Sequence, residues 1–102
     1  MKIIFLDSEI ENFIWSLEKS TIAKVLRTID LLEMFGYKLG MPHSKKINYN
    51  IFELRIRGTQ EIRVFYAFHK NSAVLLHGFL KKTQRIPKNE MAKALNKFKR
   101  LT

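Results

Sequence analysis

The chain of 102 residues contains no cysteine, two prolines and four glycines, and its longest apolar runs stop far short of the ~18 residues that span a membrane. The missing cysteine excludes disulfides, thiolate metal sites and a cysteine nucleophile. No repeat or Gly/Ser linker divides the chain, and the N-terminus carries acidic residues where a secretory signal would stay apolar. We therefore expect one soluble, cytoplasmic domain over residues 1–102.

Acidic side chains are also scarce, because 9 Asp and Glu stand against 19 Lys and Arg, which gives a formal charge of +10. The imbalance is concentrated after residue 36, where only Glu53, Glu61 and Glu90 are acidic. A field of this sign attracts phosphate backbones or an acidic protein. A basic surface without a ligand is the alternative, and the uneven distribution disfavours it.

The hydrophobic periodicity predicts an α+β domain in the order β-α-α-β-β-β-α. Apolar residues at helical spacing predict helices over 8–18 and 22–35, with a capping box of Ser8 and Glu11 and a stop at Gly36. A loop is expected over 37–46. Alternating patterns then predict three strands joined by tight turns, and a final helix begins at Pro87. We expect an antiparallel meander sheet, with its third strand central, packed against a helical hairpin and the C-terminal helix.

Basic residues alternate with apolar ones along the predicted strands. Arg55 and Arg57 point away from the apolar side of their strand, and Arg63 does so on the next strand. Like charges opposite each other destabilise a sheet, and a phosphate held by guanidinium groups would offset that cost. The alternative is that these arginines pair with Glu53 and Glu61. Three further cations, Lys81, Lys82 and Arg85, follow the last strand.

The sequence motifs typical of metal-dependent and cofactor-dependent enzymes are absent. No GxGxxG, P-loop or HExxH motif occurs, and His43, His69 and His77 are far apart in the sequence. We therefore expect no metal and no cofactor. His77 lies in a very apolar strand and is interpreted either as a proton donor or as a buried, hydrogen-bonded imidazole.

Four short motifs in this order resemble the RelE/HigB superfamily of bacterial toxins, and in particular its phage-derived, HigB-like branch. They are Glu53-Leu54-Arg55, Arg63-Val64-Phe65-Tyr66, Leu76-His77-Gly78-Phe79 running into Lys81-Lys82-Thr83-Gln84, and Pro87 with Glu90. The resemblance implies the toxin of a type II toxin–antitoxin system, a metal-independent and ribosome-dependent endoribonuclease that cuts mRNA. Its partners would be the ribosome, mRNA and an antitoxin, often a helix-turn-helix repressor.

The resemblance also suggests roles for individual residues. Catalysis is expected from Arg55 and Arg63 at the phosphate, with Lys81 and His77 in proton transfer. The RNA-binding residues are expected to be Arg57, Tyr66, Phe79, Lys82 and Arg85, with Tyr66 or Phe79 stacked on a base. Two alternatives stay open at this point: a ParE-like toxin that acts on DNA gyrase, and a non-catalytic nucleic-acid-binding module.

Overall fold

The structure, a computed structural model, describes residues 1–101, so Thr102 at the end of the predicted domain lies outside the described residues. The elements are β1 (Lys2–Phe5), α1 (Ser8–Trp15), α2 (Lys19–Phe35), β2 (Ser44–Lys46), β3 (Phe52–Ile56), β4 (Ile62–His69), β5 (Ser72–Leu80) and α3 (Lys88–Phe98). Short 3₁₀ turns follow α2 and α3. Among the described helices, none combines the length and apolar character needed to cross a membrane.

The five strands form one sheet in the order β1-β5-β4-β3-β2. Strands β2 to β5 are antiparallel neighbours, whereas β1 lies parallel to β5. The predicted α+β class is confirmed. The sheet differs from a simple meander because β1 adds a parallel strand at one edge and because β2 forms inside the predicted loop. Strand β5 lies between β1 and β4, so it is an interior strand as expected, and β4 is the middle strand of the five.

Both faces of the sheet are covered by helices. Helices α1 and α2 pack on one face through residues such as Ile14 and Val25, and α3 packs on the other through Ala94. Because both faces are covered, nearly every residue of β4 and β5 is buried, including those that alternate with the apolar side of β4. The face that carries Arg63 also carries Phe65, and this apolar neighbour lies in the core beneath α3.

Local sequence signals explain most of the helix ends. Asp7, and not the predicted Ser8, caps α1 by accepting a hydrogen bond from the Ile10 N–H at 3.2 Å. Helix α1 ends at Trp15, three residues before the predicted end. Gly36 ends α2 as predicted, with a φ of 54° that favours glycine. Pro87 is the N-cap of α3 rather than its first residue, so the helix begins one residue later than expected.

A buried lysine ties α3 to the beginning of α1. The Lys97 ammonium lies 3.3 Å from Asp7 and 2.5 Å from Glu9. The hydrogen bond and the charge of Lys97 lower the pKa of Glu9. Burial raises the pKa of Asp7, but hydrogen bonds from Ile10, Lys97 and Arg100 outweigh it, so the net pKa is below the usual value. These contacts hold α3 over the sheet.

Candidate functional site

A basic cavity of about 460 Å³ opens where β3 and β4 meet the loop that follows β5. We call it the basic cavity, and it is lined by Arg55, Arg57, Glu61, Arg63, Lys81, Lys82, Thr83 and Gln84. The β3–β4 hairpin supplies the first four residues and the loop after β5 supplies the rest. The loop is anchored to the hairpin because the Lys81 N–H donates to the Glu61 carbonyl at 2.7 Å.

Two arginines stand directly opposite each other beneath this cavity. Arg55 on β3 pairs in register with Arg63 on β4. Glu53 lies between them, with its Oε1 atom 3.7 Å from the Nε atom of each guanidinium. These are ion pairs beyond hydrogen-bonding distance, and the buried Glu53 Oε2 atom has no hydrogen-bond partner among the described residues. The carboxylate supplies the negative charge that we had expected from a bound phosphate.

A second carboxylate holds the other end of Arg63. The Arg63 Nη1 atom donates to Glu61 Oε2 at 3.2 Å and to the Ile62 carbonyl at 3.1 Å. The Arg63 side chain is only 2% exposed, whereas that of Glu61 is 38% exposed at the wall of the cavity. Arg63 is thus fixed from below by Glu53, and it orients the Glu61 carboxylate at the surface.

The remaining cations of the basic cavity are available to an anion. Within residues 1–101, no carboxylate forms an ion pair with Arg57, Lys81 or Lys82. Arg57 and Lys82 are exposed and Lys81 is half-buried. A water-exposed group of unpaired cations above a neutralised pair of arginines suits a phosphate, because guanidinium and ammonium groups form charge-assisted hydrogen bonds with its oxygens.

Comparison with known proteins identifies the family. The family described as "Phage derived protein Gp49-like (DUF891)" matches residues 12–99, from α1 into the turn after α3. The chain is also 40% identical over 80 residues to the protein named "Putative toxin HigB3" of Mycobacterium tuberculosis, which covers 74% of this chain and 69% of that protein. This chain belongs to the phage-derived, HigB-like branch of the RelE/HigB toxin superfamily. The family expected from the sequence motifs is therefore confirmed.

The fold of this HigB-like chain brings together five of the nine residues expected to act in the site. Arg55, Arg57, Arg63, Lys81 and Lys82 line the basic cavity. Arg85 is exposed on the same loop but does not line it. The agreement has a simple cause: the tight β3–β4 turn sets the strand register, and the loop after β5 returns to the same sheet end.

The two aromatic residues expected to stack on a base are buried instead. Tyr66 has no exposed surface, because it faces the α1–α2 side of the sheet, and its hydroxyl is hydrogen-bonded to Ser44. Burial raises the pKa of this hydroxyl, and the bond to Ser44 offsets the rise in part. Phe79 is buried beside Phe65 under α3. Neither ring presents a face to a ligand, so the stacking expectation is wrong for both.

His77 also lies away from the basic cavity. Its Nε2 atom is 3.2 Å from Glu90 Oε1 on α3, and its side chain is largely buried. It therefore takes the second interpretation that the sequence left open, that of a buried, hydrogen-bonded imidazole. No three His, Cys, Asp or Glu side chains among residues 1–101 are grouped as a metal site would require.

Sequence reasoning missed Glu61 as a residue that lines the basic cavity. The alternative in which the arginines pair with Glu53 and Glu61 is confirmed, and both pairings occur beside the basic cavity rather than in place of it. We also expected Arg63 to be accessible, and it is buried because α3 covers its face of the sheet. The signal was present in the sequence, since Phe65 and Ala67 follow Arg63 on the same face and are apolar.

Proposed function

We propose that this protein is the toxin of a type II toxin–antitoxin system and acts as a ribosome-dependent mRNA endoribonuclease. The observation that carries the proposal is the basic cavity, with Arg57, Lys81 and Lys82 unpaired at its surface among the described residues, in a chain of the HigB-like family. The proposed site of action is the cytoplasm, on translating ribosomes. The proposed partner is an antitoxin of the helix-turn-helix class.

The first requirement of RNA cleavage is stabilisation of the charge on the scissile phosphate. Arg57, Lys81 and Lys82 provide fixed positive charge where that phosphate would lie, and such charge acts most strongly on the extra negative charge of the transition state. In this proposal Arg55 and Arg63 lie under the phosphate and act mainly through Glu53 and Glu61, because their guanidinium groups are already paired.

The second requirement is proton transfer, with a base at the 2′-hydroxyl and an acid at the leaving 5′-oxygen. Glu61 is the carboxylate that lines the basic cavity, and Arg63 fixes it at 3.2 Å. We assign Glu61 as the base. Lys81, anchored beside Glu61 through its backbone, is assigned as the acid. The expected role of His77 stays a prediction, and its pairing with Glu90 on α3 gives that role no support.

Dependence on the ribosome has a structural basis in this proposal. Of the residues that line the basic cavity none is aromatic, and Tyr66 and Phe79 are buried, so the chain offers little to hold a base in place there. In-line attack by a 2′-hydroxyl needs orientation, which can contribute several kcal/mol to lowering the barrier. A ribosome that presents mRNA in a fixed conformation would supply this orientation.

The decisive experiment measures cleavage of mRNA bound to purified ribosomes by primer extension. The double variant Arg57→Gln/Lys81→Gln should cleave at least ~10²-fold more slowly, the effect typical of removing charge stabilisation from a transition state. Lys88→Gln is the matched control, because Lys88 is an exposed cation that does not line the basic cavity. Equal rates for the double variant and the control would refute the proposed site.

Ribosome dependence and the role of Glu61 have separate tests. The parent protein should scarcely cleave the same mRNA without ribosomes, and rapid cleavage of free RNA would contradict that part of the proposal. Glu61→Gln should lower kcat with little change in KM. An unchanged kcat would exclude Glu61 as the base.

A further inference from the structure

A second cavity lies on the opposite side of β3, between this strand and α2. Its volume is about 310 Å³, near the lower end of the roughly 300–1,000 Å³ of small-molecule pockets. We call it the α2–β3 cleft, and it is lined by Lys24, Arg27, Thr28, Pro42, His43, Arg55, Ile56 and Arg57. Its size suits one nucleotide.

The lining of the α2–β3 cleft is basic and contains no carboxylate. Lys24 and Arg27 are exposed on successive turns of one helix, and no ion pair engages either side chain within the described part of the chain. The Lys24 ammonium reaches over the β3–β4 turn, since a Cβ atom placed on Gly58 would lie 2.5 Å from Lys24 Nζ. The exposed Pro42 adds apolar surface to this lining, whereas Ile56 is only 2% exposed at its base.

The two cavities meet at the end of β3. Arg55 and Arg57 line both of them. Strand β2 pairs with β3 only up to Leu54, and beyond it the Arg55 N–H donates to the His43 carbonyl at 2.9 Å. The end of β3, which we call the ridge, therefore separates two basic depressions. Arg57 is exposed on this ridge.

From this arrangement we infer that the α2–β3 cleft binds a nucleotide of the same RNA strand that enters the basic cavity. The strand crosses the end of β3, with one phosphate at Arg57, Lys81 and Lys82 and a neighbouring phosphate at Lys24 and Arg27. The apolar surface of Pro42 receives the base or sugar. The inference rests on the proposed function for the identity of the ligand, and it adds residues that the family motifs do not contain.

RNA is favoured over an acidic protein segment by the continuity of the two cavities. An RNA strand carries phosphates at short, regular intervals and alternates them with flat apolar bases, which matches two cationic depressions, one of which contains the exposed Pro42 ring. An acidic peptide would satisfy the cations but would leave the Pro42 ring without a specific partner.

The test is equilibrium binding of a short single-stranded 2′-O-methyl RNA, which lacks the hydroxyl needed for cleavage. Fluorescence anisotropy over a range of salt concentrations gives the affinity and its salt dependence. Lys24→Gln and Arg27→Gln should each weaken binding and lower the slope of log K against log salt by about 0.7, the value for one phosphate contact on a single strand. Lys19→Gln is the matched control, because Lys19 is an exposed lysine at the start of the same helix but outside the cleft.

The outcomes separate this inference from the proposed function. The inference is overturned if Lys24→Gln and Arg27→Gln bind RNA with the same affinity and salt slope as Lys19→Gln. This holds whatever the cleavage assay gives. Loss of cleavage by Glu61→Gln with normal RNA binding bears only on the proposed catalytic site. Polyglutamate serves as the competing probe. If it binds the parent as tightly as the RNA does, and if Lys24→Gln and Arg27→Gln weaken the binding of both probes equally, the choice of RNA as occupant is overturned. Unchanged circular dichroism melts confirm that the variants are folded.

Discussion

Replacing Arg63 with methionine should destabilise the protein strongly, although Arg63 belongs to the cationic residues of the site. The side chain is 2% exposed and is the more deeply buried of the two arginines paired with Glu53, whose second oxygen already has no hydrogen-bond partner within residues 1–101. Methionine preserves most of the apolar volume but removes the charge. The carboxylate of Glu53 would then stay buried with Arg55 as its only ion-pair partner in the described chain, at 3.7 Å.

The magnitude follows from the burial of the pair. Removing one partner of a buried ion pair costs about 3–5 kcal/mol, and the surviving contact with Arg55 places the expected loss near the lower end. The partner at the surface, Glu61, adds little because exposed pairs contribute less than about 1 kcal/mol. For a domain of this size, a loss of ~3 kcal/mol lowers the melting temperature by about 12–24 °C.

Urea denaturation measures this loss as a lower midpoint at an unchanged slope. The double variant Arg63→Met/Glu53→Gln provides the control, because it removes the uncompensated carboxylate. It should be more stable than Arg63→Met alone by at least about 1 kcal/mol, because glutamine leaves no uncompensated charge at this buried position. A single variant within about 1 kcal/mol of the parent, or a double variant less stable than Arg63→Met, would refute the assignment of Arg63 to a buried charge cluster.

Two further predictions concern other parts of the chain. Because the pKa values of Asp7 and Glu9 are lowered in the folded state, their contribution to stability is present above the ordinary values of 3.8 and 4.5 and is lost as the pH falls through the lowered values. Lys97→Met should therefore flatten the stability of the protein between pH 5 and pH 3 in urea titrations, and an unchanged pH dependence would contradict the role of Lys97. Tyr66→Phe should lose about 1 kcal/mol of stability with the hydrogen bond to Ser44, yet it should cleave ribosome-bound mRNA at the parent rate. A folded Tyr66→Phe protein without cleavage activity would restore a direct role for this residue.

The sequence predicts the order of the main elements because their signals are local. Period-3.6 patterns, the stop at Gly36 and the tight turn after Arg57 each depend on a few adjacent residues. Strand β2 has no such signal, since Ser44–Lys46 is short and polar and becomes a strand only by pairing with β3. The parallel pairing of β1 with β5 is also set by tertiary contacts, because β1 and β5 are separated by more than sixty residues of chain.

The sequence predicts where the candidate site lies, but it does not predict how deeply each arginine is buried. Alternation placed Arg55, Arg57 and Arg63 on one face, and the register confirms that Arg55 and Arg63 are opposite each other. Which of them reaches solvent depends on what covers that face. Helix α3 packs over Phe65 and Phe79 and leaves the end of β3 open, so burial falls from Arg63 to Arg55 to Arg57. The apolar residues that follow Arg63 on its face indicate its burial, but no pattern within β3 separates Arg55 from Arg57.

The three arginines on this strand pair differ in burial, and they therefore have different roles. A cationic residue that binds a phosphate must keep its charge exposed, whereas a cation that fixes a carboxylate in position can be buried, because the pairing offsets much of the cost of removing both charges from water. Arg63 is fixed between Glu53 and Glu61, Arg55 shares Glu53 and lines both cavities, and Arg57 lies exposed on the ridge. The like-charge contact between Arg55 and Arg63 is thus neutralised within the fold. The residues around that contact remain available to bind anions. They are Arg57, Lys81 and Lys82 on one side of β3, and Lys24 and Arg27 on the other.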